Sequence, residues 1–236
     1  RPPRSTLFPS TTLFRSLGPP ATAYRRARTF HPDDGVQFYQ MSIPVQGGQE
    51  AGEGGNAGRG GNLSELAKAG PLERVTGVWG GYQDAGDWDT LGHHLSASYD
   101  LLGLFDLNRA ACERAKLSLP AAEAANNLPD LLDEALWQMP CWRRLQLPDG
   151  GVRGGYGYGW GCPRGLTSSM IRSAGVYAPE PATTLHFAAV AARAARVLRA
   201  YDQKLSAEYL DAARRAWTWA EIRLFGDFLV IFHWAG

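Results

Sequence analysis

Gly80-Gly-Tyr-Gln-Asp-Ala-Gly-Asp-Trp-Asp89 places three carboxylates, Asp84, Asp87 and Asp89, within six positions of a glycine- and aromatic-rich turn. Acids this close repel one another unless a metal, a hydrogen-bond network or a substrate compensates them. Gly80, Gly81 and Gly86 open backbone shapes closed to other residues and let a ligand approach the chain closely. Tyr82 and Trp88 set flat apolar faces beside the acids. That combination suits a sugar, whose rings stack on aromatics while its hydroxyls meet carboxylates. An Asp placed in this way can deprotonate a water molecule for hydrolysis. The competing reading is a glycine turn with helix-capping aspartates, since Asp is a favoured cap. Asp89 is positioned to cap a following helix, which leaves Asp87 for the chemistry.

This stretch closely resembles the Gly-Gly-aromatic-x-Asp-Ala-Gly-Asp-aromatic signature of glycoside hydrolase family 9, the cellulase and endoglucanase family. Two further stretches resemble the same family in the same order. Leu128-Pro-Asp-Leu-Leu-Asp-Glu-Ala-Leu-Trp137, followed by Gln146-Leu-Pro-Asp-Gly-Gly151, is similar to its Pro-Asp-Leu-Leu-Asp-Glu helix and glutamine-then-glycine exit. Pro179-Glu-Pro-Ala-Thr-Thr184 leads into an alanine-rich helix, again as in that family. The similarity runs from about Gly77 to about Phe225.

The resemblance implies an inverting hydrolase of β-linked glucans on an (α/α)6 barrel, the six-hairpin toroid, of which this chain is roughly the first half. Carried over by position, Asp87 is the catalytic base and Asp84 helps to hold the nucleophilic water. Inversion needs a second carboxyl, which in the family is a Glu far downstream; Glu180, Glu208 and Glu221 lie in no matching context. The chain as given is therefore expected to be a truncated fragment without meaningful hydrolytic activity, unlike its intact parent. Cellulose or a mixed β-glucan is the implied substrate, although the Asp-Trp-Asp ending differs from the more usual tyrosine-containing form. A non-catalytic carbohydrate-binding remnant of the family is the rival reading. A lyase or amylase-type hydrolase on the same barrel fits less well with the intact Asp-Ala-Gly-Asp. Polymeric substrates are cut outside the cytoplasm, so the parent is expected to be secreted or periplasmic.

Composition agrees with one large domain. The chain has 236 residues, 44% hydrophobic and 20% charged, values ordinary for a globular protein with a well-buried core. A net charge of +1 gives no reason to expect nucleic acid or an anionic membrane as partner. A polysaccharide or oligosaccharide is the expected partner. Cys112, Cys141 and Cys162 are widely spaced and odd in number, so they define neither a disulfide framework nor a zinc site, and buried free thiols are expected. No apolar run approaches the roughly 20 residues needed to span a bilayer.

Four regions divide the chain. Residues 1–16 contain Thr-Leu-Phe twice and resemble a translated sequencing adapter, so they are set aside from fold reasoning. The first methionine is Met41, and the native start is expected to be missing. Residues 17–76 read as an irregular, glycine-rich region, and residues 46–61 lack the Gly-Lys-Ser/Thr ending of a phosphate loop. Residues 77–225 are the partial catalytic domain, and 226–236 an anomalous tail that continues no helical pattern.

Within 77–225 the periodicity predicts an all-α architecture with no convincing strand. A first helix is expected from about Thr90 to Phe105, with Leu91, Leu95, Leu102 and Phe105 facing the core. A second starts at Pro129, with Asp130, Asp133 and Glu134 placed structurally near its positive end. Pro140 is expected to interrupt it. Tyr156, Tyr158 and Trp160 alternate with glycine, either as a sugar-stacking platform or as loop aromatics folded onto the core.

Two long helices follow. Thr183 or Thr184 is expected to cap the first, with a stripe of Phe187, Val190, Ala191, Ala194, Leu198 and Tyr201. Ser206 is expected to cap the second, with a stripe of Leu210, Ala213, Trp217, Ala220 and Leu224 and an exposed Asp211–Arg215 pair. The candidate substrate-binding residues are Tyr82, Trp88, Asp89, Tyr156, Tyr158 and Trp160. No cofactor is expected. The acid trio offers oxygens to calcium but lacks EF-hand spacing. His93 and His94 are adjacent and so diverge by about 100° on a helix, too far to grip one metal together. Packing is the expected role for them and for His186.

Overall fold

Ala188, Ala191, Ala194 and Ala195 on one helix and Ala212, Ala213, Ala216 and Ala220 on the next are all buried. Side chains this small let two helix axes lie close together, and this hairpin is the most extensive packed unit among the described residues. The computed structural model describes residues 31–44, 73–82, 88–90, 92, 94–117, 125–157 and 173–233. In chain order these residues form a short 3-10 turn (Pro32–Asp34), β1 (Gln37–Pro44), β2 (Arg74–Val75) and β3 (Trp88–Thr90). Then come α1 (Leu95–Arg114), α2 (Asp130–Leu136), α3 (Met139–Leu145), β4 (Gly155–Gly157), β5 (Ser173–Ala178), α4 (Pro181–Leu198) and α5 (Gln203–His233).

The architecture is mostly helical, but it is not strand-free. The five short strands form one sheet in the order β2-β1-β5-β4-β3, with β1 and β5 parallel and the other pairs antiparallel. The expectation of no strand therefore fails. β1 also lies inside the region read as irregular. Three of the strands escape a periodicity search because they are only two or three residues long, and one of these, β4, is mostly glycine. Tyr156 alternating with Gly155 and Gly157 is a period-two signal, and it belongs to β4.

Pairing with β4 also explains where α1 begins. Thr90, the expected helix start, is a strand residue opposite Gly155, and α1 starts only at Leu95. Leu95, Leu102 and Phe105 are buried as expected, while Leu91 lies outside the described residues. Asn108 breaks the helical path (φ −155°, ψ 76°). Its side-chain oxygen then accepts from the Ala111 amide at 3.1 Å, which restarts the helix.

Pro140 divides its helix as expected. α2 ends at Leu136, α3 begins at Met139, and Pro140 occupies the first turn of α3, where a missing amide hydrogen costs nothing. The Cys141 and Trp142 amides turn back instead to the Gln138 carbonyl. The acids of α2 are structural. Asp130 accepts from the Leu117 amide at 2.9 Å, and Asp133 accepts from the Asn126 side chain at 2.8 Å.

The predicted caps need correction. Glu180, not Thr183 or Thr184, caps α4, its carboxylate accepting from the Thr183 amide at 2.8 Å. Thr184 instead joins α4 to the preceding loop, accepting from the Val152 amide at 3.0 Å. The buried stripe of Phe187, Val190, Ala191, Ala194 and Leu198 appears as expected. In α5 the Asp202 carboxylate accepts from the Leu205 amide at 2.8 Å and takes the capping role given to Ser206. Ser206 lies inside the helix and donates to the Ala195 carbonyl at 2.6 Å, stitching the hairpin together. The buried face of α5 is Tyr209, Ala212, Ala213, Ala216, Trp219 and Ala220. The expected stripe is thus rotated, with Leu210, Trp217 and Leu224 outward. The helix also continues to His233, through the segment read as an anomalous tail. Asp211 and Arg215 do pair, at 2.9 Å. Cys112 and Cys141 are buried free thiols; Cys162 lies outside the described residues.

The turn at Asp149-Gly-Gly151 presses against α5. A Cβ on Gly150 would collide with the Arg215 backbone, and one on Gly151 would come within 2.5 Å of the Trp219 ring. Gln146 donates to the Ala212 carbonyl at 2.8 Å, and Trp219 donates to Asp149 at 2.9 Å. Gly150→Ala is therefore expected to cost about 2–3 kcal/mol, combining overpacking with a left-handed φ of 105°. Gly77→Ala, with φ 77° but open space around it, should cost only about 1 kcal/mol. Urea unfolding of the two variants tests the difference.

Tyr209 lies in the same hairpin, and burial pushes its phenol up to about 12. An unfolded tyrosine ionises near about 10. Between these values the unfolded chain has lost a proton that the folded chain keeps, so stability falls as pH rises. Melting temperatures measured from pH 9 to 11 should fall less steeply for Tyr209→Phe, whose ring can still carry the Arg143 guanidinium stacked on Tyr209.

Candidate functional site

The acid motif enters from an ordered stem. Gly80 and Gly81 have φ of 100° and 92°, so their backbone needs glycine. Gly80 also passes close to α3, where a Cβ would sit 3.3 Å from the Cys141 Cβ. Three anchors hold the stem. The Tyr156 hydroxyl donates to the Gly80 carbonyl. Arg144 donates to the Trp79 carbonyl at 3.3 Å while its guanidinium stacks 3.6 Å from the Trp79 ring centre. The Tyr82 hydroxyl donates to the Glu134 carbonyl at 3.2 Å and lies 3.4 Å from its carboxylate. The edge of the His31 ring closes on Trp79, with centroids 4.7 Å apart. Burial holds the Arg144 guanidinium below its usual range, and no described carboxylate forms an ion pair with it.

The exit is anchored as firmly. Trp88, Asp89 and Thr90 pair with Gly157, Tyr156 and Gly155. The chain then turns at Gly92, whose φ of 63° suits glycine, and the Leu95 amide closes the turn on the Gly92 carbonyl at 2.9 Å. Gln138 is fully buried, and its amide group donates to the His94 carbonyl and, at 2.9 Å, to the Ser98 hydroxyl. Its oxygen accepts from the Trp142 indole at 3.2 Å.

Asp84 and Asp87 lie outside the described residues, as do Tyr158, Trp160 and His93. Trp88 and Asp89 are described only as backbone, in β3. Tyr82 and Tyr156 are both described, and both are buried, at 7% and 0% exposure. The Tyr156 ring stands edge-on to Phe38 at 5.4 Å. As placed, neither ring offers an open face, and each hydroxyl is used to hold the backbone that leads into the acids. His94 sits at the start of α1 with its ring edge-on to Tyr82. Asp89 lies in a strand rather than at a helix cap, because β4 takes its backbone first.

Four residues that hold this region were missed in the sequence: Trp79, Glu134 as an anchor, Gln138 and Arg144. The available signal was the i, i+4 spacing of Glu134 and Gln138, which puts both on one helical face. Among the described residues no group of three or more His, Cys, Asp or Glu could hold a metal ion. The acid trio considered for calcium lies mostly outside them. No helix among the described residues is long and apolar enough to cross a membrane.

The sequence profile of glycosyl hydrolase family 9 matches residues 33–227, starting well upstream of Gly77. Endoglucanase C of Cellulomonas fimi is 34% identical over 110 residues, which cover 44% of this chain and 10% of that protein. Cellulose 1,4-beta-cellobiosidase of Acetivibrio thermocellus is 27% identical over 159 residues, covering 59% of this chain and 17% of that protein. A single mutant of a thermostable endoglucanase from Alicyclobacillus acidocaldarius has a solved structure similar at a TM-score of 0.54 and 28% identity, over 64% of this chain and 29% of that one. The chain thus spans at most 29% of the length of these three relatives. Because the profile match takes in most of the chain, the acid loop and its anchors included, the chain belongs to glycosyl hydrolase family 9.

Proposed function

We propose that this chain carries the base-bearing part of a hydrolase of β-linked glucans of the cellulose type, acting with inversion. Asp87 takes the proton from the attacking water and Asp84 helps to hold that water. The observation that carries this reading is that the described segments on either side of the Asp-Ala-Gly-Asp motif in sequence, Gly80–Tyr82 and Trp88–Thr90, are both anchored, in a member of this family. A base must hold a fixed position relative to the bond it helps to break, and an anchored stem and strand supply such a fixed support. Trp88, Asp89, Tyr158 and Trp160 are the proposed sugar contacts. Two relatives, an endoglucanase and a cellulose 1,4-beta-cellobiosidase, point to the same substrate class.

Inversion requires a second carboxyl roughly 6.5–9.5 Å from the base, to protonate the leaving oxygen. Glu180 and Glu208 are already engaged, the first as the cap of α4 and the second in an ion pair with Arg143 at 3.0 Å. They fit structural roles rather than that of the acid. In this reading the α1–α2 and α4–α5 pairs are helical hairpins of a partial (α/α)6 barrel. The chemistry needs water and two carboxyl groups, with no cofactor, and a polymeric substrate puts the parent enzyme outside the cytoplasm or in the periplasm.

Hydrolysis of a soluble β-1,4-glucan by the complete gene product tests the assignment. Asp87→Asn should lower kcat by roughly 10²–10⁴-fold, the usual contribution of a general base. Turnover that survives this substitution undamaged would end the assignment of Asp87. Binding of cello-oligosaccharides without any turnover in the wild type would instead favour the carbohydrate-binding alternative.

A further inference from the structure

We propose that Glu134 and Gln138 form a two-point clamp on the chain at Tyr82 and His94, on either side of the acids in sequence, which makes them positioning residues for the reaction proposed above; the inference rests on that reading. Asp84 and Asp87 lie in sequence between Tyr82 and His94. Glu134 receives the Tyr82 hydroxyl on one side of them. Gln138 donates to the His94 carbonyl on the other. Trp137 and Gln138 keep right-handed helical dihedrals beyond the formal end of α2, so Glu134 and Gln138 stay on one helical face. Side chains four apart on such a face lie about 5–6 Å from each other. The end of α2 and the turn that follows it thus grip the chain before and after the acids in sequence.

The chemistry of Gln138 fits this role better than core filling. Residue 138 is fully buried, beside the buried Trp142, and an apolar side chain would supply volume there without a polar group to satisfy. The carboxamide instead makes three hydrogen bonds, and their sense is determined. An indole N–H can only donate, so the oxygen must face Trp142 and the amide hydrogens must face His94 and Ser98. Trp142 therefore orients the group that holds the loop exit.

Three variants of the complete gene product separate positioning from simple stability. Gln138→Met keeps length and volume but removes the donor to His94, and Tyr82→Phe releases the other end. Ser98→Ala removes a partner of the same buried amide while leaving the His94 bond in place. Gln138→Met and Tyr82→Phe should each lower kcat on a soluble β-1,4-glucan by roughly ten- to a hundredfold, with KM within about twofold. Amide exchange of a peptide covering Trp88–Leu95 should accelerate in both by about tenfold or more. Ser98→Ala should lower the melting temperature but leave kcat within about twofold.

Equal losses of kcat in Gln138→Met and Ser98→Ala would overturn the clamp, as would unchanged exchange in the loop-exit peptide. A raised KM with kcat intact in Tyr82→Phe would overturn it as well, by placing that ring on the substrate. If Gln138→Met fails to fold, Tyr82→Phe against Ser98→Ala still decides. A wild type that hydrolyses nothing would fail the hydrolase reading, and the exchange rates would then judge the clamp separately.

Discussion

Pro140 has no amide hydrogen to donate, and the Leu136 carbonyl cannot be reached from that position as an ordinary helix would require. The chain ends α2, makes a short turn and starts α3 with the proline in its first turn. This break puts Gln138 where its backbone carbonyl receives the Cys141 and Trp142 amides. Its side chain meanwhile faces His94, Ser98 and Trp142. α2 then carries Glu134 to Tyr82, and α3 carries Cys141 and Arg144 to the glycine stem. The helical support of the segments that flank the acids in sequence follows from one residue that cannot continue a helix.

The other side of the loop depends on close packing. β3 is held by β4 and β4 by β5. β4 follows a turn whose Gly150 and Gly151 lie directly on α5. That approach is available because neither glycine has a Cβ, and it is fixed by Gln146 and Asp149, which bond into α5. A sheet of such short strands would be marginal alone. Here the helical hairpin supports it, and through it the strand that bears Trp88 and Asp89.

Helix content, the break at Pro140, the Asp211–Arg215 pair and the buried stripe of α4 were all legible along the chain, because each depends on residues within four positions of one another. The rotation of α5 was not. Leu210, Trp217 and Leu224 are a heptad stripe as good as any, but α4 selects the alanine face beside it, since small residues let the two helices approach. The caps were misread for a related reason. Thr183, Thr184 and Ser206 are competent caps, yet Glu180 and Asp202 stand at the true helix starts, and the hydroxyls are drawn to Val152, Ala195 and Glu180. Three of the strands were hidden because segments of two or three residues carry no period of their own and acquire sheet structure only from their neighbours.

The chemical identity of the region, with its acids, glycines and aromatics in one ten-residue run, is written locally, because spacing along a backbone settles which groups can be neighbours. Which way Tyr82 and Tyr156 face is not. Tyr82 reads as a surface for a sugar and Tyr156 as either that or an aromatic folded onto the core; both are turned inward, where their hydroxyls find the Glu134 and Gly80 carbonyls. The same holds for Gln138, an unremarked glutamine until His94, forty-four positions away in sequence, comes within reach of its amide. Local order supplies the groups, and packing between distant segments decides which of them face outward and which hold the backbone on either side of the acids.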